Sequence, residues 1–525
     1  MKRRDFIKVS SAAGIVGLVG PGYNALARPS STGVEGFDLH PFIKQHPEAV
    51  FINLTNVQEK TDSQAIYDAA AKLANEMFVK TTDGSGYRNS TKITCKPNWT
   101  CNLARSNNRV ANMGINTDLN FIEGFMVSVK NKGPQNFYLR ECACANDWPI
   151  NGYTAMAERN GFDLRDLSSK DYWDLGKEDI VFKKVDGVVF KEVGYMAPMN
   201  EEGTFLINLA KLKAHQMGIT ATIKNLQGIT GKKFHQFCGG NFDVFKTYDK
   251  RYHQFFQPDY MARIGELQKK HEGYIPRWKS RLDRPPYGGG FWMEQWVNRM
   301  LDSLSITPTG INVVEGIYGR DGDGFGTGTD YMCNNILFGK DPFRVDIIAH
   351  WLAGHEPGNF GLFHIGIERG MSNVLDPNDI PIYLWEDGKA TLIKLDTLKR
   401  TPLKTLYLRR NYDGMNEDRL HMCDEPFDYS AWKAGNKTAA IDPGIRAIGT
   451  DSKENVVMEV SVPEKGDVYV DVLNKEGEVI WRMFADGLEP GTHQVVWDGF
   501  SQPGMYSMYV KGMGWDAERE MVIFT

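Results

Sequence analysis

Cysteine is scarce in this sequence, with seven in 525 residues, at positions 95, 101, 142, 144, 238, 333 and 423. So few, and an odd number, exclude a disulfide scaffold for a chain of this size. Structural thiols or one or two disulfides are the expected use of the set, and Cys95 and Cys101 are close enough in sequence to pair in an oxidising compartment. The CxxCxxC run of a common iron–sulfur cluster is missing, because Cys142-Ala143-Cys144 is spaced CxC. Excess positive charge is missing too. Lys and Arg number 61 against 66 Asp and Glu, a net charge of −5, which argues against non-specific nucleic-acid binding through a basic surface. Beyond the N-terminus no apolar run reaches the roughly 18 residues that a membrane-spanning helix requires.

What is present is globular in kind. Hydrophobic residues make up 42% and charged residues 24%. The length exceeds one ordinary core, so two domains are expected. The N-terminal "MKRRDFIKVSSAAGIVGLVGPGYNALA" has a charged start, a short apolar middle and Ala25-Leu26-Ala27, a small-x-small cleavage pattern. Residues 1–27 therefore read as an export signal peptide. Arg3-Arg4-Asp5-Phe6-Ile7-Lys8 resembles the twin-arginine motif of exported, pre-folded proteins, with Lys2 where Ser or Thr is usual. That route suits a chain that takes up a cofactor before export, and it places the mature protein in the periplasm or outside the cell.

After a linker (28–44), apolar runs alternate with helical patterns. "AVFINLT" (49–55), "KITCKPNW" (92–99), "NFYLREC" (136–142), "TFLINLA" (204–210), "GINVVEGIYG" (310–319) and "NNILFGKDP" (334–342) read as strands. "DSQAIYDAAAKLANEMF" and "DPFRVDIIAHWLAG" read as helices between them. The alternation predicts an α/β domain over residues 45–385 with a mostly parallel, layered sheet. An aromatic and charged insertion interrupts it at about 240–295. After a linker region (386–450), residues 451–525 show period-2 strands punctuated by Lys465-Gly466, Glu476-Gly477, Pro490-Gly491, Asp498-Gly499 and Pro503-Gly504, which predicts a small all-β sandwich. The run "GEVIWRMFADGLEPGTHQVVWDG…GMYSMYV" resembles the immunoglobulin-like module of the flagellar hook-capping family and related secretion-sorting domains. That resemblance implies an accessory module for contact with a surface or polymer.

The densest chemistry is in "KLKAHQMGITATIKNLQG" (211–228). By composition alone it is a solvated lysine loop with a structural histidine. Its position at the end of an apolar strand, with Gly218-Ile219-Thr220 expected to open a helix, makes it a candidate anion site. Lys211, Lys213 and Lys224 would hold or polarise an anion, and His215 would act as acid, base or metal ligand.

The same stretch resembles the signature of the bacterial and archaeal "domain of unknown function 362" family. That signature is an apolar strand, Lys-x-Lys-x-His, a Gly-x-Thr step and Lys-Asn-x-x-Gly, here Lys211, Lys213, His215, Gly218, Thr220, Lys224, Asn225 and Gly228. "CKPNW" (95–99), "VVEGIYGRDGDGFGTG" (313–328) and "LFGKDPFRVDIIAHWLAG" (337–354) match its other segments in order. The resemblance implies that Lys96, Asn98, Lys211, Lys213, His215, Lys224, Asn225, Glu315 and Asp341 lie around one cleft. Some members carry ferredoxin-like iron–sulfur segments, and this chain has no such cysteine pattern.

Other candidates are weaker in pattern. Asp321 and Asp323 in "GRDGDGFGTGTD" follow the D-x-D-G rhythm of a calcium loop, yet position 332 is Met where an EF-hand needs Glu, so they remain candidate ligands of a different divalent cation. His350 and His355 are five apart, not the four of HExxH. His235 and Cys238 form an H-x-x-C pair close in sequence to the basic stretch. The expectation is an exported protein with a basic anion-binding cleft. It is either an enzyme acting on an anionic small molecule or glycan, with a metal or redox cofactor loaded before export, or a non-catalytic envelope binding or assembly protein.

Overall fold

The computed structural model describes residues 35–100, 113–167, 174–215, 218–231, 250–260, 262, 290–322, 328–405, 426–436, 443–450, 455–463, 465–498, 504–512 and 515–523. The signal segment, Cys101, His235, Cys238, Asp323, Cys423 and most of the 240–295 insertion lie outside them. The chain divides after Tyr429 into two compact units.

The first unit contains β1 (Gly36–Leu39), α1 (Pro41–Gln45), β2 (Val50–Leu54), α2 (Ser63–Met77), β3 (Phe78–Thr81), β4 (Tyr87–Arg88), β5 (Lys92–Pro97), α3 (Leu119–Lys130), β6 (Asn136–Leu139), α4 (Tyr153–Asn160) and β7 (Asp163–Leu164). It continues with β8 (Ile180–Lys184), β9 (Glu192–Met196), β10 (Thr204–His215), β11 (Gly218–Thr220), α5 (Thr222–Leu226), α6 (Gly290–Leu304), β12 (Ile311–Arg320), β13 (Asp330–Gly339), α7 (Pro342–Leu352), α8 (Gly361–Glu368), β14 (Ile382–Glu386) and β15 (Lys389–Ile393).

One large sheet organises the unit, in the order β15-β14-β2-β13-β12-β10-β5-β6-β7, with β11 added to β10. The pairs β14–β2, β12–β10, β10–β5, β5–β6 and β6–β7 are parallel. β13 is antiparallel to both neighbours. The connection from β12 is too short for a helical crossover, so the chain must turn back on itself. The mostly parallel α/β layer expected from the sequence is what forms.

The helices follow their sequence signals. Asp62 caps α2 by accepting from Ala65 N at 2.9 Å. Ile66, Ala70, Leu73, Ala74 and Met77 then recur at helical spacing and are buried. With Phe121, Ile122, Phe125 and Val129 of α3 they pack on Ile93, Cys95, Phe205, Ile207, Leu209, Ile311 and Val313 of the central strands. Helices α5 and α7 lie against β10, β12 and β13.

Two expectations change here. β10 does not stop at Ala210 but runs on through Lys211 and Lys213 to His215, with Lys211 opposite Glu315 and Lys213 opposite Arg320. Gly218-Ile219-Thr220 does not open a helix. It forms β11, which returns along β10 with Thr220 opposite Lys213. Gly218 has φ +106°, a conformation that favours glycine, and a side chain there would lie 2.7 Å from the Phe360 ring.

The second unit opens on a helix, α9 (Tyr429–Asn436), and is otherwise β. β16 (Gly444–Thr450), β17 (Val456–Val462) and β20 (Gly491–Trp497) form one antiparallel sheet, and β18 (Gly466–Leu473), β19 (Val479–Leu488), β21 (Gly504–Gly512) and β22 (Trp515–Ile523) form another. Their alternating residues Val456, Met458, Val460, Val468, Val470, Val472, Met508 and Val510 make a core of their own. This is the expected small sandwich. Among the described residues no helix is long and apolar enough to cross a membrane.

Candidate functional site

Three parallel strands set Lys96, Asn208 and Asn312 side by side in register. Parallel neighbours in register point the same way, so these polar groups share one sheet face. Asn208 Nδ2 donates to Asn312 Oδ1 at 2.9 Å and to the Thr222 carbonyl at 3.0 Å. Asn225, carried by α5, donates to Asn208 Oδ1 at 2.7 Å and to the Lys96 carbonyl at 2.9 Å. Its own Oδ1 accepts from Lys96 Nζ at 3.0 Å and from Asn98 Nδ2 at 2.9 Å. Lys96 completes its contacts with Glu141 at 2.6 Å and the Pro97 carbonyl at 2.5 Å. Its three donors are all used, and it is 1% exposed. Lys96, Asn98 and Asn225 thus brace β5, β10 and α5 against one another.

Lys211 and Glu315, register partners on β10 and β12, form a second ion pair at 2.5 Å with both side chains fully buried. Lys211 Nζ also lies 3.7 Å from the centroid of the Tyr318 ring, a cation–π contact. Tyr318 donates to Asp118 Oδ2 at 2.8 Å, and the Asp118 N–H donates to Glu315 Oε2 at 3.3 Å. Burial pushes Glu315 up, with Lys211 opposing.

Lys213 differs from both. Its Nζ donates to the Ile115 carbonyl, and among the described residues it meets no carboxylate at ion-pair distance. It is 2% exposed. Burial drives its amine well below the ordinary lysine value, the charges of Lys224, Lys211 and Lys96 push it the same way, and Glu141 opposes. Thr220, its partner across the β10–β11 hairpin, is fully buried, and among the described residues its Oγ1 has no hydrogen-bond partner. Asn116, next to Ile115, gives Oδ1 to Thr100 N at 2.8 Å and has no acceptor for its buried Nδ2. Two buried groups that can donate, the Thr220 hydroxyl and the Asn116 amide, are thus unpaired among the described residues, on residues placed next to Lys213 by register and next to its acceptor by sequence.

His215, at the end of β10, is held edge-on to Trp296 with ring centroids 5.3 Å apart. Lys224 is half-buried, with its Nζ 5.4 Å from the same ring. Burial lowers the His215 pKa well below 6.5, helped by the charges of Lys224 and Lys213, so the ring is neutral at pH 7. Lys213 thus lies within electrostatic reach of Lys96, Lys211 and Lys224, and His215 within reach of Lys213 and Lys224.

The helix start that was expected to receive an anion is already taken. The carboxylate of Asp346, on α7, accepts from Thr222 N at 2.7 Å, Thr222 Oγ1 at 2.5 Å and Ile223 N at 3.0 Å. Asp341 caps α7 through Phe343 N at 2.8 Å. His350 donates from Nδ1 to the Asp346 carbonyl at 2.7 Å and accepts from Ile219 N at 3.4 Å. His355 and His364 donate to the Leu403 and Gly358 carbonyls, each at 2.7 Å. Asp321 Oδ1 accepts from Thr329 N at 2.7 Å, which pins the base of its loop. Among the described residues no group of three or more His, Cys, Asp or Glu is placed to hold a metal. Cys95 is a buried free thiol, so a Cys95–Cys101 bridge does not form; Cys333 is also a free thiol, and Cys144 is disulfide-bonded. A cavity of about 290 Å³ lies at the opposite end of the sheet, bordered by Asp38, Lys44, Tyr87, Gly310 and Lys340.

Residues 93–350 match the family model described as a domain of unknown function, DUF362. The matched segment begins on β5 and ends in α7, so it contains every residue of the basic cluster. No curated protein matches the chain. Within the DUF362 segment, sequence reasoning missed Glu141, Asp118, Asn116, Asn208, Asn312 and Trp296. Two of them had a visible signal, because Asn208 and Asn312 interrupt the apolar runs "FLINLA" and "GINVV". Glu141 and Asn116 carry no such mark, since their partners are distant in sequence.

Proposed function

We propose that the α/β unit binds a small anion in the corner formed by Lys213, Thr220 and Asn116, with Lys224 at its half-buried edge. The observation that carries this reading is Lys213, an amine buried within electrostatic reach of three other lysines with a backbone carbonyl as its hydrogen-bond acceptor. An anion supplies charged acceptors to the Lys213 amine in place of a neutral carbonyl. The hydroxyl of Thr220 and the Nδ2 of Asn116 are further donors of the kind an oxyanion recruits. Neutral His215 beside Lys213 and Lys224 is suited to exchange protons with the ligand, which favours an enzyme acting on an anionic small molecule or a charged glycan.

The protein is further proposed to work after export, directed by its twin-arginine-like signal. The disulfide at Cys144 supports this, because such bonds persist in oxidising compartments. The sandwich is read as an immunoglobulin-like module for contact with a surface or polymer. Its four-stranded sheet exposes Tyr469 and Phe484 as a pair, ring centroids 4.8 Å apart, which suits such contact. Titration calorimetry with sulfate and phosphate tests the anion site. One saturable site is expected in the whole chain, weakened at least tenfold in both Lys213→Met and Thr220→Val. Undiminished binding in both variants removes the site from this corner.

A further inference from the structure

We propose that Lys213 is a covalent site, its ε-amine forming an imine with a small carbonyl compound that carries an anionic group, such as a 2-oxo acid. This rests on the anion-site reading and adds the chemical class of the ligand. An amine attacks a carbonyl carbon only through its lone pair, and a lysine in water near neutral pH has spent that pair on a proton. The surroundings of Lys213 withhold the proton. Its side chain is out of water, it has a neutral carbonyl for a partner, and the charges of Lys224, Lys211 and Lys96 act on it in the same direction as burial. Desolvation and a neighbouring cation are the two ways by which proteins make a lysine nucleophilic.

The arrangement of the other lysines supports this division of roles. Lys96 and Lys211 are anchored by Glu141 and Glu315 at 2.6 and 2.5 Å, so their charges stay fixed within reach of Lys213. Lys224, half-buried with its Nζ 5.4 Å from the Trp296 ring, adds a further positive charge at the edge of this region. Of the groups acting on Lys213, Glu141 is the one that opposes neutrality, and it is engaged by Lys96, Trp99 N and Cys142 N.

The step balances without an oxidant or reductant. The nitrogen lone pair bonds to the carbonyl carbon while the C=O π pair moves to oxygen. A proton passes from nitrogen to that oxygen, giving a carbinolamine. The oxygen then leaves as water after receiving a second proton, and nitrogen releases its remaining one. The net change is amine plus carbonyl to imine plus water. The Thr220 hydroxyl, which has no partner among the described residues and belongs to the residue paired with Lys213 across the hairpin, is the donor proposed for the departing oxygen.

Borohydride trapping on the whole chain is the test. The protein is incubated with pyruvate near neutral pH, reduced, digested and mapped by mass spectrometry. The peptide bearing Lys213 should carry one reduced pyruvate, lost in Lys213→Arg and Lys213→Met and retained in Lys340→Ala. Acetone, which lacks the anionic group, should label that peptide less. Thermal melts of each variant show whether a loss reflects unfolding. Adducts confined to other lysines, or none at all, overturn the imine. A sulfate titration separates the two readings: sulfate binding without the adduct leaves the anion site and ends the covalent role. The adduct without sulfate binding upholds the nucleophile and ends the anion site.

Discussion

Gly228 has no room for a side chain. A Cβ there would fall 2.4 Å from Lys96 Cε and 2.5 Å from Glu141 Oε1, inside the buried pair they form. Gly228→Ala must part the two charges or move α5, and separating a buried ion pair costs about 3–5 kcal/mol. Chemical denaturation should show a loss of that order, and a change below about 1 kcal/mol would mean that the pair relocates freely. Lys213 should behave in the opposite way. It has no carboxylate to strand, so Lys213→Met should hold stability level or raise it by up to about 2 kcal/mol while anion binding is lost. A loss of several kcal/mol would instead make Lys213 a structural ion. The sign of its pH dependence follows from its lowered pKa. Burial holds the amine's pKa well below the ordinary lysine value and a bound anion favours the ammonium, so binding draws in protons and weakens as pH rises. Calorimetry in two buffers of different ionisation enthalpy should register that uptake. These roles divide by how far they show in the sequence. Lys211, Lys213 and His215 are legible as a cluster, but which lysine is compensated depends on Glu141, just after β6, and Glu315, on β12.

At the scale of elements, the sequence places most strands and helices and misplaces one junction. "TFLINLA" has the look of a complete strand because charged residues normally mark a strand's exit from the core. Here Glu315 takes the charge of Lys211 and the Ile115 carbonyl takes the amine of Lys213, so β10 continues for five more residues and a hairpin replaces the helix start. Helix α5 then begins against Asp346, whose buried carboxyl is pushed up to about 7 by desolvation despite three donors. A carboxyl raised in the fold from 3.8 stabilises most below pH 4. That contribution falls as pH climbs toward about 7 and is absent above it. Asp346→Asn should remove this slope from the melting temperature measured between pH 4 and 8. It should also cost about 1–3 kcal/mol through the acceptor it gives up. An unchanged slope would assign the titration to another group.

Over the whole molecule, the two-domain expectation rests on a change of period from helical spacing to strict alternation, and that change is strong in "VYVDV" and its neighbours. The strand order across the large sheet is not legible, because β13 and β14 reach β2 over about 280 and about 330 residues. Each unit has its own core, so calorimetry should resolve two unfolding transitions, with the chain ended at Tyr429 keeping one of them and the anion affinity of the whole. A single transition lost altogether on truncation would make the two units one folding entity. The most direct measurement of the central claim is a crystal of the full protein grown with selenate and examined by anomalous scattering. The account predicts a selenium peak within hydrogen-bond distance of Lys213 Nζ and Thr220 Oγ1. Selenate found at surface lysines alone, with that corner holding only water at saturating concentration, would contradict it.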